Sequence, residues 1–578
     1  MTSRTPIPWL IAGLILAVYL TAFAVLPRGA FYSPDAGGKY LQMLGYHWAN
    51  GLQCELIYPG ETIDPDLFFY GTHAERAAFT AIHPYRDENG SVHTGWTPWF
   101  SLLTLPFYRA FGVAGLHVVP LAAGFLLIAL AGMLAERLRP GSGLIASCVV
   151  GGATPVLFYS LCFWEHTLAV SLALAALLPL VRARMGTAES TVRPLHGCIS
   201  GIGMLAACAF RRELVFFLGA SLLAWGWCHP RSRRFLPVVL AALLAAGVGG
   251  LVLLLAHPAL LRWLFPSGVD DMQWLGRLQD ADLLVGLGPN LIQLLLLHKS
   301  DILLPTMARW AGLLGLALCL GTRFAPARWR RGMVLIGVAF VSATATWLIF
   351  TGTRYRALHS LILPAPLALF ALFPSAASAA TSRRWLGWTV VFFLGSFFLV
   401  WPAVVGGAHG GIEWGSRYTL VAIVLLNVLG VVAVVETSSS PELSHSMRAA
   451  VTVLAIWLVF LGAASAARGV HELRETRRDL LALQTELERI GDPVVTDAWW
   501  FGASLAPFAA THEVYTLSEL HPLQQWLDLI GPRRPRFTFV GNPPPGTLAD
   551  AQGTPWLRQD FPAAAGLPIT RFQRTSEP

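Results

Sequence analysis

Residues 8–40 read PWLIAGLILAVYLTAFAVLPRGAFYSPDAGGKY, an apolar run followed at once by a short polar segment. The apolar part, from Pro8 to Leu26, is close to the roughly 20 residues that cross a bilayer as a helix. A cleavable signal has a shorter apolar core and a small-residue cleavage site, whereas Pro27 and Arg28 follow here. We therefore predict an uncleaved first span with its N-terminus inside, leading into a polar loop outside.

The composition of the whole chain favours many such spans. Of 578 residues, 55% are apolar and 13% are charged, whereas soluble proteins carry about 25% charged residues. This balance excludes a disordered chain, a secreted disulfide scaffold and an ordinary cytosolic enzyme. The seven cysteines contain no CxxC pair, so we interpret them as packing residues rather than zinc ligands or a disulfide framework.

Further apolar runs bring the prediction to about 13 transmembrane helices. They lie near residues 115–135, 143–162, 167–181, 197–210, 214–228, 236–256, 302–321, 333–352, 360–374, 385–403, 419–435 and 449–467. Every loop that this scheme assigns to the cytoplasm contains arginine, as the positive-inside rule requires. The short runs 197–210 and 214–228 stay separate, because merging them would place all later basic loops outside. The net charge of +8 is thus explained by topology and does not indicate nucleic-acid binding.

Two long polar segments then fall on the outer side. We predict a transmembrane domain over residues 1–467 that includes the outer loop 28–97, with 98–113 as a re-entrant or interfacial helix. The tail, residues 468–578, opens with the charged helical pattern HELRETRRDLLALQTELERI. Short apolar strands, PVVTD and RFTFVG, then flank the helical stretch LSELHPLQQWLDLIG. This order predicts a small extracytoplasmic α/β domain.

Compact polar clusters map to the outer boundary of the predicted membrane domain, whereas the inner loops carry mainly scattered arginines. The clusters are SPDAGGKY (33–40), FWEH (163–166), RRE (211–213), HKSD (298–301), TRYR (353–356) and GGIEWGSRY (410–418). Charged groups at a membrane boundary are costly and favour a functional explanation. The asymmetry predicts a site that is open to the outer side.

Asp35 comes nine positions after the first span, with Lys39 one helical turn further on. If residues 40–52, YLQMLGYHWANGL, continue this segment as an amphipathic helix, its apolar side would lie along the membrane surface. A carboxylate there can act as a general base for an acceptor group; the alternative is a capping carboxylate at a helix start. Outer cations can bind a lipid phosphate, and our candidates are Lys39, Arg417, Arg211 and Arg354. Headgroup contact, or pairing with nearby glutamates, is the alternative for the arginines.

Other residues are candidates for substrate contact. Asp64 and Asp66 lie in the outer loop, Glu165 and His166 lie at a tight outer turn, and Trp414 and Tyr418 belong to the GGIEWGSRY stretch. Simple turn polarity is an equal alternative for Glu165 and His166, and aromatic residues at this level more often form an interfacial belt. No HExxH motif is present, so we predict no protein-built metal site. The alternative is a divalent cation bound by the carboxylates and histidines of the outer loop.

A polytopic chain with an aspartate just past its first span and an outer C-terminal domain resembles the GT-C glycosyltransferases. These include the protein O-mannosyltransferases and the lipid A aminoarabinose transferase, and GGIEWGSRY resembles a GG-x-x-W-G-x-R-Y stretch of such bacterial membrane proteins. Asp35 is followed by Ala36, where the mannosyltransferases carry an acidic pair. The resemblance implies a multi-pass protein of the bacterial inner membrane. It also implies an inverting reaction on the periplasmic face, with a polyprenyl-phosphate sugar as donor and a lipid, glycan or protein as acceptor.

Three other functions are compatible with these patterns. A transporter or flippase of lipid-linked saccharides would need broken spans with charges near the midplane, and the short pair around residues 211–213 is the feature that favours it. A lipid-linked saccharide ligase or polymerase would share an outward cationic site. An assembly factor would use the tail for binding. No GxGxxG follows a strand and no GxxxxGK[ST] occurs, so energy from nucleotide hydrolysis is not predicted.

Overall fold

The computed structural model describes residues 6–48, 52–70, 85–86, 92–93, 97–185, 194–228, 241, 244, 248, 306–322, 324–350, 364–372, 380–405 and 417–575. The chain divides into two units. One consists of Met1–Ala24 and Val119–Glu472, and the other of Val25–Val118 and Leu473–Pro578. We call them the helical unit and the mixed unit. The outer loop, predicted as part of the membrane domain, is therefore grouped with the C-terminal segment.

Apolar helices make up the helical unit. Within the described residues, three helical runs are long and apolar enough to cross a membrane, Pro98–Leu138, Arg417–Ser438 and His445–Ile490. The helices that contribute to this unit are Pro6–Ala24, Val118–Leu138, Gly143–Gly152, Val156–Ser160, His166–Met185, Pro194–Phe210, Leu214–Cys228, Thr306–Gly321, Ala327–Phe350, Ala380–Val405, Leu420–Ser438 and the first part of His445–Ile490. The chain is thus a multi-pass helical membrane protein.

The helix Leu420–Ser438 is the most deeply buried of these helices. Its Asn427 side chain donates from Nδ2 to the carbonyl of Pro364 at 3.1 Å, which satisfies a polar group that would be costly in an apolar interior. A Cβ atom at Gly430 would lie 2.1 Å from the carbonyl oxygen of Leu367. Glycine is therefore required for the close approach of this helix to the 3-10 turn Ala368–Leu372.

Several predicted spans differ from the observed helices. The run 143–162 is split into Gly143–Gly152 and Val156–Ser160, because Pro155 lacks an N–H and disfavours helical geometry in the residue before it. The run 449–467 continues without a break into the charged tail, forming one helix of 46 residues, His445–Ile490. Around the predicted span 360–374, the described part 364–372 contains only the 3-10 turn. The predicted span 236–256 lies outside the continuously described residues.

The runs 197–210 and 214–228 are separate helices, as predicted. They are Pro194–Phe210 and Leu214–Cys228, joined by the turn at residues 211–213. This turn places three consecutive charged residues at the junction of two apolar helices.

A six-stranded sheet forms the centre of the mixed unit. The strands of this unit are β1 (Tyr46–Trp48), β2 (Leu52–Cys54), β3 (Tyr85–Arg86), β4 (Val92–His93), β5 (Val494–Thr496), β6 (Val514–Thr516), β7 (Arg536–Val540), β8 (Leu548–Ala549), β9 (Pro555–Ala564) and β10 (Leu567–Arg574). The order in the large sheet is β6-β5-β7-β10-β9-β8. β5 is parallel to β6 and β7, and the other pairs are antiparallel. The predicted strands PVVTD and RFTFVG are the adjacent strands β5 and β7, and the predicted helix is Leu523–Leu529.

Both faces of this sheet are covered. Val495 faces a cluster that includes Tyr58 and Phe69 of the outer loop and Trp526 of the helix Leu523–Leu529. Its neighbour Val494 points to the opposite face, where it packs with Leu483 and other residues of the long helix. The outer loop therefore supplies part of the hydrophobic core of this unit.

Candidate functional site

A cleft in the helical unit brings together charged and aromatic residues from three separate parts of the chain. Its empty space is about 200 Å³, and its lining consists of His166, Ala169, Val170, Arg211, Glu213, Leu214, Arg417, Tyr418 and Val421. Four of the sequence candidates, His166, Arg211, Arg417 and Tyr418, thus lie at one site.

Arg211 is fixed by two carboxylates. Its Nη1 donates to Oε1 of Glu165 at 2.9 Å, and its Nε donates to Oε1 of Glu213 at 2.6 Å. Both glutamates are 3% exposed. Burial lowers the pKa of Arg211, but the carboxylates of Glu213 and Glu165 raise it, and the net effect is a raised pKa. The guanidinium is therefore permanently charged and held in one orientation.

Arg417 is placed among aromatic rings. Its guanidinium carbon lies 5.5 Å from the ring centroid of Trp164 and 4.9 Å from that of Tyr418, and Nη2 donates to the Tyr418 hydroxyl at 3.1 Å. The residue is 7% exposed. Cation–π contact and the hydroxyl stabilise the charge. A buried guanidinium held in this way is suited to an anionic ligand.

His166 lies on the aromatic side of the same cleft. Its ring stacks on Tyr159 with a centroid distance of 5.2 Å and an interplanar angle of 20°, and Trp164 lies 5.3 Å away at 51°. His166 also begins the helix His166–Met185, directly after Glu165. The FWEH cluster is therefore buried rather than an exposed turn, and its His166 lines the cleft.

Asp35 and Lys39 lie in the mixed unit, on the helix Pro34–Gly45. Ser33 caps this helix by accepting a hydrogen bond from the Asp35 N–H at 3.3 Å, and Asp35 is the acidic residue of its first turn. A carboxylate in the first turn is stabilised by the helix dipole, but the side chain that caps the helix belongs to Ser33 and not to Asp35. Asp35 is partly exposed, whereas Lys39 is 2% exposed.

The amphipathic helix predicted for residues 40–52 is not observed. The helix stops at Gly45, and β1 begins at Tyr46. A Cβ atom at Gly45 would lie 2.2 Å from the carbonyl oxygen of Glu55. The helix is buried on most sides by protein, so its apolar residues serve the core of the mixed unit rather than a membrane surface.

Asp64 organises the outer loop. Its Oδ1 accepts from the Phe68 N–H at 3.0 Å, and its Oδ2 accepts from the Phe69 N–H and the Tyr58 hydroxyl, both at 2.9 Å. Asp64 is 3% exposed. These three hydrogen bonds give Asp64 a structural role in the loop. Asp66, the other predicted residue of this loop, is exposed.

The remaining candidates lie outside the described residues. These are Arg354 and Trp414, together with the HKSD cluster. In the described ranges, no group of three His, Cys, Asp or Glu side chains is arranged to hold a metal ion.

The sequence analysis did not select Glu213 or Trp164 as site residues. Glu213 stands two positions after Arg211, in the turn between two short apolar helices. This position could have identified Glu213 from the sequence. Charged residues at a membrane boundary are costly, so a carboxylate beside an arginine there favours a functional or structural role for both.

Comparisons with known proteins found similarity in structure alone. No protein-family model matches the chain, and no curated protein matches it. ArnT from Cupriavidus metallidurans bound to undecaprenyl phosphate is 12% identical, with a TM-score of 0.48, over 96% of this chain and 97% of that chain. The apo oligosaccharyltransferase of Archaeoglobus fulgidus is 11% identical, with a TM-score of 0.47, over 91% of this chain and 66% of that chain.

Proposed function

We propose that this protein is a membrane glycosyltransferase that moves a sugar from a polyprenyl-phosphate donor to an acceptor. The observation that supports this function is the meeting of Arg211 and Arg417 at one cleft within an apolar helical unit. Arg211 is already paired with Glu165 and Glu213, and a phosphate ligand would add charge-assisted hydrogen bonds at Arg417.

Arg417 is our first candidate for phosphate binding. When the bond between the anomeric carbon and the phosphate oxygen breaks, the bonding electrons stay on the phosphate. A fixed cation stabilises that developing charge because it needs no reorganisation during the reaction. Arg211, Lys39 and Arg354 remain predicted phosphate ligands, and Arg211 ranks below Arg417 because Glu165 and Glu213 already pair with it.

Asp35 is our candidate for the general base. Its carboxylate would take the proton from an acceptor hydroxyl or amine while that atom attacks the anomeric carbon from the face opposite the phosphate. One bond to the anomeric carbon forms as the other breaks, and polyprenyl phosphate leaves. The displacement inverts the configuration, as a single attack on the opposite face does in inverting glycosidases.

The orientation of the chain in the membrane is part of the same proposal. The arginine-containing loops place the N-terminus in the cytoplasm, and the C-terminal segment then lies on the outer side of a bacterial inner membrane. The acceptor, a lipid, a glycan or a protein, would be glycosylated on that side. His166 and Tyr418, which line the cleft, are candidates for contact with the donor sugar.

The test is transfer from radiolabelled polyprenyl-phosphate sugars in membranes that contain the protein. Asp35→Asn should abolish transfer while donor binding and protein level stay normal. Asp479→Asn is the matched control, because its carboxylate is 48% exposed on the long helix of the mixed unit. Full transfer by Asp35→Asn would reject the base assignment. Movement of the lipid-linked sugar across vesicles without a new glycosidic bond would show a flippase instead.

A further inference from the structure

Glu213 has one carboxylate oxygen in use and one that is not. Oε1 accepts the hydrogen bond from Arg211, whereas Oε2 is buried and, among the residues that the structure describes, has no hydrogen-bond partner. The side chain is 3% exposed. Leaving a buried acceptor unsatisfied is costly, and more so for a charged group. Such an oxygen is expected to have a donor in the working state of the protein.

The position of Glu213 shows where that donor would come from. Glu213 lines the same cleft as Arg417 and Tyr418, whereas Glu165, the other carboxylate on Arg211, is not among the lining residues. Both glutamates thus bind Arg211, but Glu213 lies in the wall of the cleft and Glu165 does not. Of these two glutamates, Glu213 lines the cleft, and its Oε2 has no hydrogen-bond partner among the described residues.

The chemistry of the ligand follows from this pairing of charges. The phosphate of a polyprenyl-phosphate sugar is a diester, so it carries negative charge and no O–H donor. It suits Arg417 and cannot satisfy a carboxylate oxygen. A ligand that satisfies both residues must combine an anion with a nearby hydrogen-bond donor. A sugar hydroxyl close to the anomeric phosphate is such a donor.

We infer that Glu213 is a specificity-determining residue that accepts a hydrogen bond, through Oε2, from a hydroxyl of the donor sugar. The inference rests on the proposed function and extends it, because it assigns recognition of the sugar to the cleft that binds the phosphate. A site that hydrogen-bonds a hydroxyl strongly rejects ligands that lack it. The cleft should therefore discriminate a sugar-bearing lipid phosphate from a sugar-free one.

The test compares binding of two kinds of lipid to the detergent-purified full chain at pH 8. One is sugar-free undecaprenyl phosphate, and the other is the tightest binder among undecaprenyl phosphoglucose, phosphomannose and phosphogalactose. Glu213→Gln keeps the size of the side chain. If the amide oxygen still accepts from Arg211, the NH₂ group, which is a donor, takes the place of the acceptor Oε2. We expect the ratio of sugar-lipid affinity to sugar-free affinity to fall at least about tenfold.

Glu165→Gln is the matched control. It removes the other carboxylate partner of Arg211, so it should change the affinity for both lipids by the same factor and leave their ratio unchanged. Glu213→Asp is the second variant, because it keeps the charge but shortens the reach of the carboxylate. It should lower the same ratio. Both Glu213 variants are first checked for a wild-type elution profile and unfolding temperature.

The outcomes separate this inference from the proposed function. If the wild-type chain binds no lipid phosphate at all, the proposed function fails and this inference fails with it. If it binds sugar-free and sugar-bearing lipids equally well, or if Glu213→Gln and Glu213→Asp leave their ratio unchanged, the inference alone is overturned. In that case Glu213 only positions Arg211.

Discussion

Nη1 of Arg211 lies 2.9 Å from Oε1 of Glu165, although 46 positions separate the two residues in the sequence. This contact connects the turn before the helix His166–Met185 to the turn between the helices Pro194–Phe210 and Leu214–Cys228. Both side chains are largely buried, at 14% and 4% exposure. The ion pair therefore has a structural role as well as an electrostatic one, because it fixes the arginine that borders the cleft.

We expect Glu165→Ala to destabilise the protein. Removing one partner of a buried ion pair costs about 3–5 kcal/mol, and the lower end applies here because Arg211 keeps its bond to Glu213. The measurement is the thermal unfolding midpoint of detergent-purified protein. Glu486→Ala, which breaks an exposed pair with Arg489, is the control and should leave the unfolding midpoint nearly unchanged. Equal midpoints for the two variants would show that the Glu165 contact is not important for stability.

Arg417→Ala should weaken binding of undecaprenyl phosphate by roughly 10- to 100-fold, since a charge-assisted hydrogen bond contributes about 1.5–3 kcal/mol. Arg417→Lys should lose a substantial part of this affinity, because lysine lacks the planar guanidinium that stacks over Trp164 and Tyr418. Equilibrium binding of the labelled lipid is the measurement. Arg478→Ala, at a site that is 62% exposed, should bind like the wild type. Wild-type affinity in Arg417→Ala would remove this residue from the phosphate site.

Asp64→Ala should unfold the mixed unit at lower temperature while leaving binding of undecaprenyl phosphate unchanged. The substitution leaves two buried backbone N–H groups and the Tyr58 hydroxyl without an acceptor, at a cost of about 1–3 kcal/mol each. The readouts are limited proteolysis of the outer loop and lipid binding at a temperature where the variant is folded. The exposed Asp66 offers the comparison, since Asp66→Ala should leave the proteolysis pattern intact. A loss of binding by folded Asp64→Ala would favour the predicted substrate role.

Gly37→Ala should disrupt the helix that carries Asp35 and Lys39. A Cβ atom at Gly37 would lie 1.6 Å from the carbonyl oxygen of Ala503, so the helix Pro34–Gly45 must move away from the helix Phe501–Ser504. We expect a large loss of stability, with reduced transfer even in the protein that folds.

The control for this substitution is Gly219→Ala in the helix Leu214–Cys228. A Cβ atom there meets nothing within 4 Å, and replacing a helical glycine by alanine should stabilise the helix by about 0.5–1 kcal/mol. Unfolding midpoints of the two alanine variants are compared. If Gly37→Ala is as stable as Gly219→Ala, the close contact with Ala503 is not required.

The sequence by itself determined the membrane character of the chain, the separation of residues 197–210 from 214–228, and the strands at PVVTD and RFTFVG. These features depend on hydropathy and charge within a window of about one element, so they can be predicted without the fold. The sequence also supplied four lining residues of the cleft. Polar clusters next to apolar runs were sufficient to identify them.

Tertiary structure alone decided the partners of those residues. Arg211 contacts Glu165 across 46 positions, Glu213 accepts from Arg211 through Oε1, and Asp64 is enclosed by the loop that it organises. The outer loop shares a core with the C-terminal sheet, which composition could not reveal. In each case the deciding quantity is a distance between groups that are remote in sequence, and such distances are set by packing of whole elements rather than by local pattern.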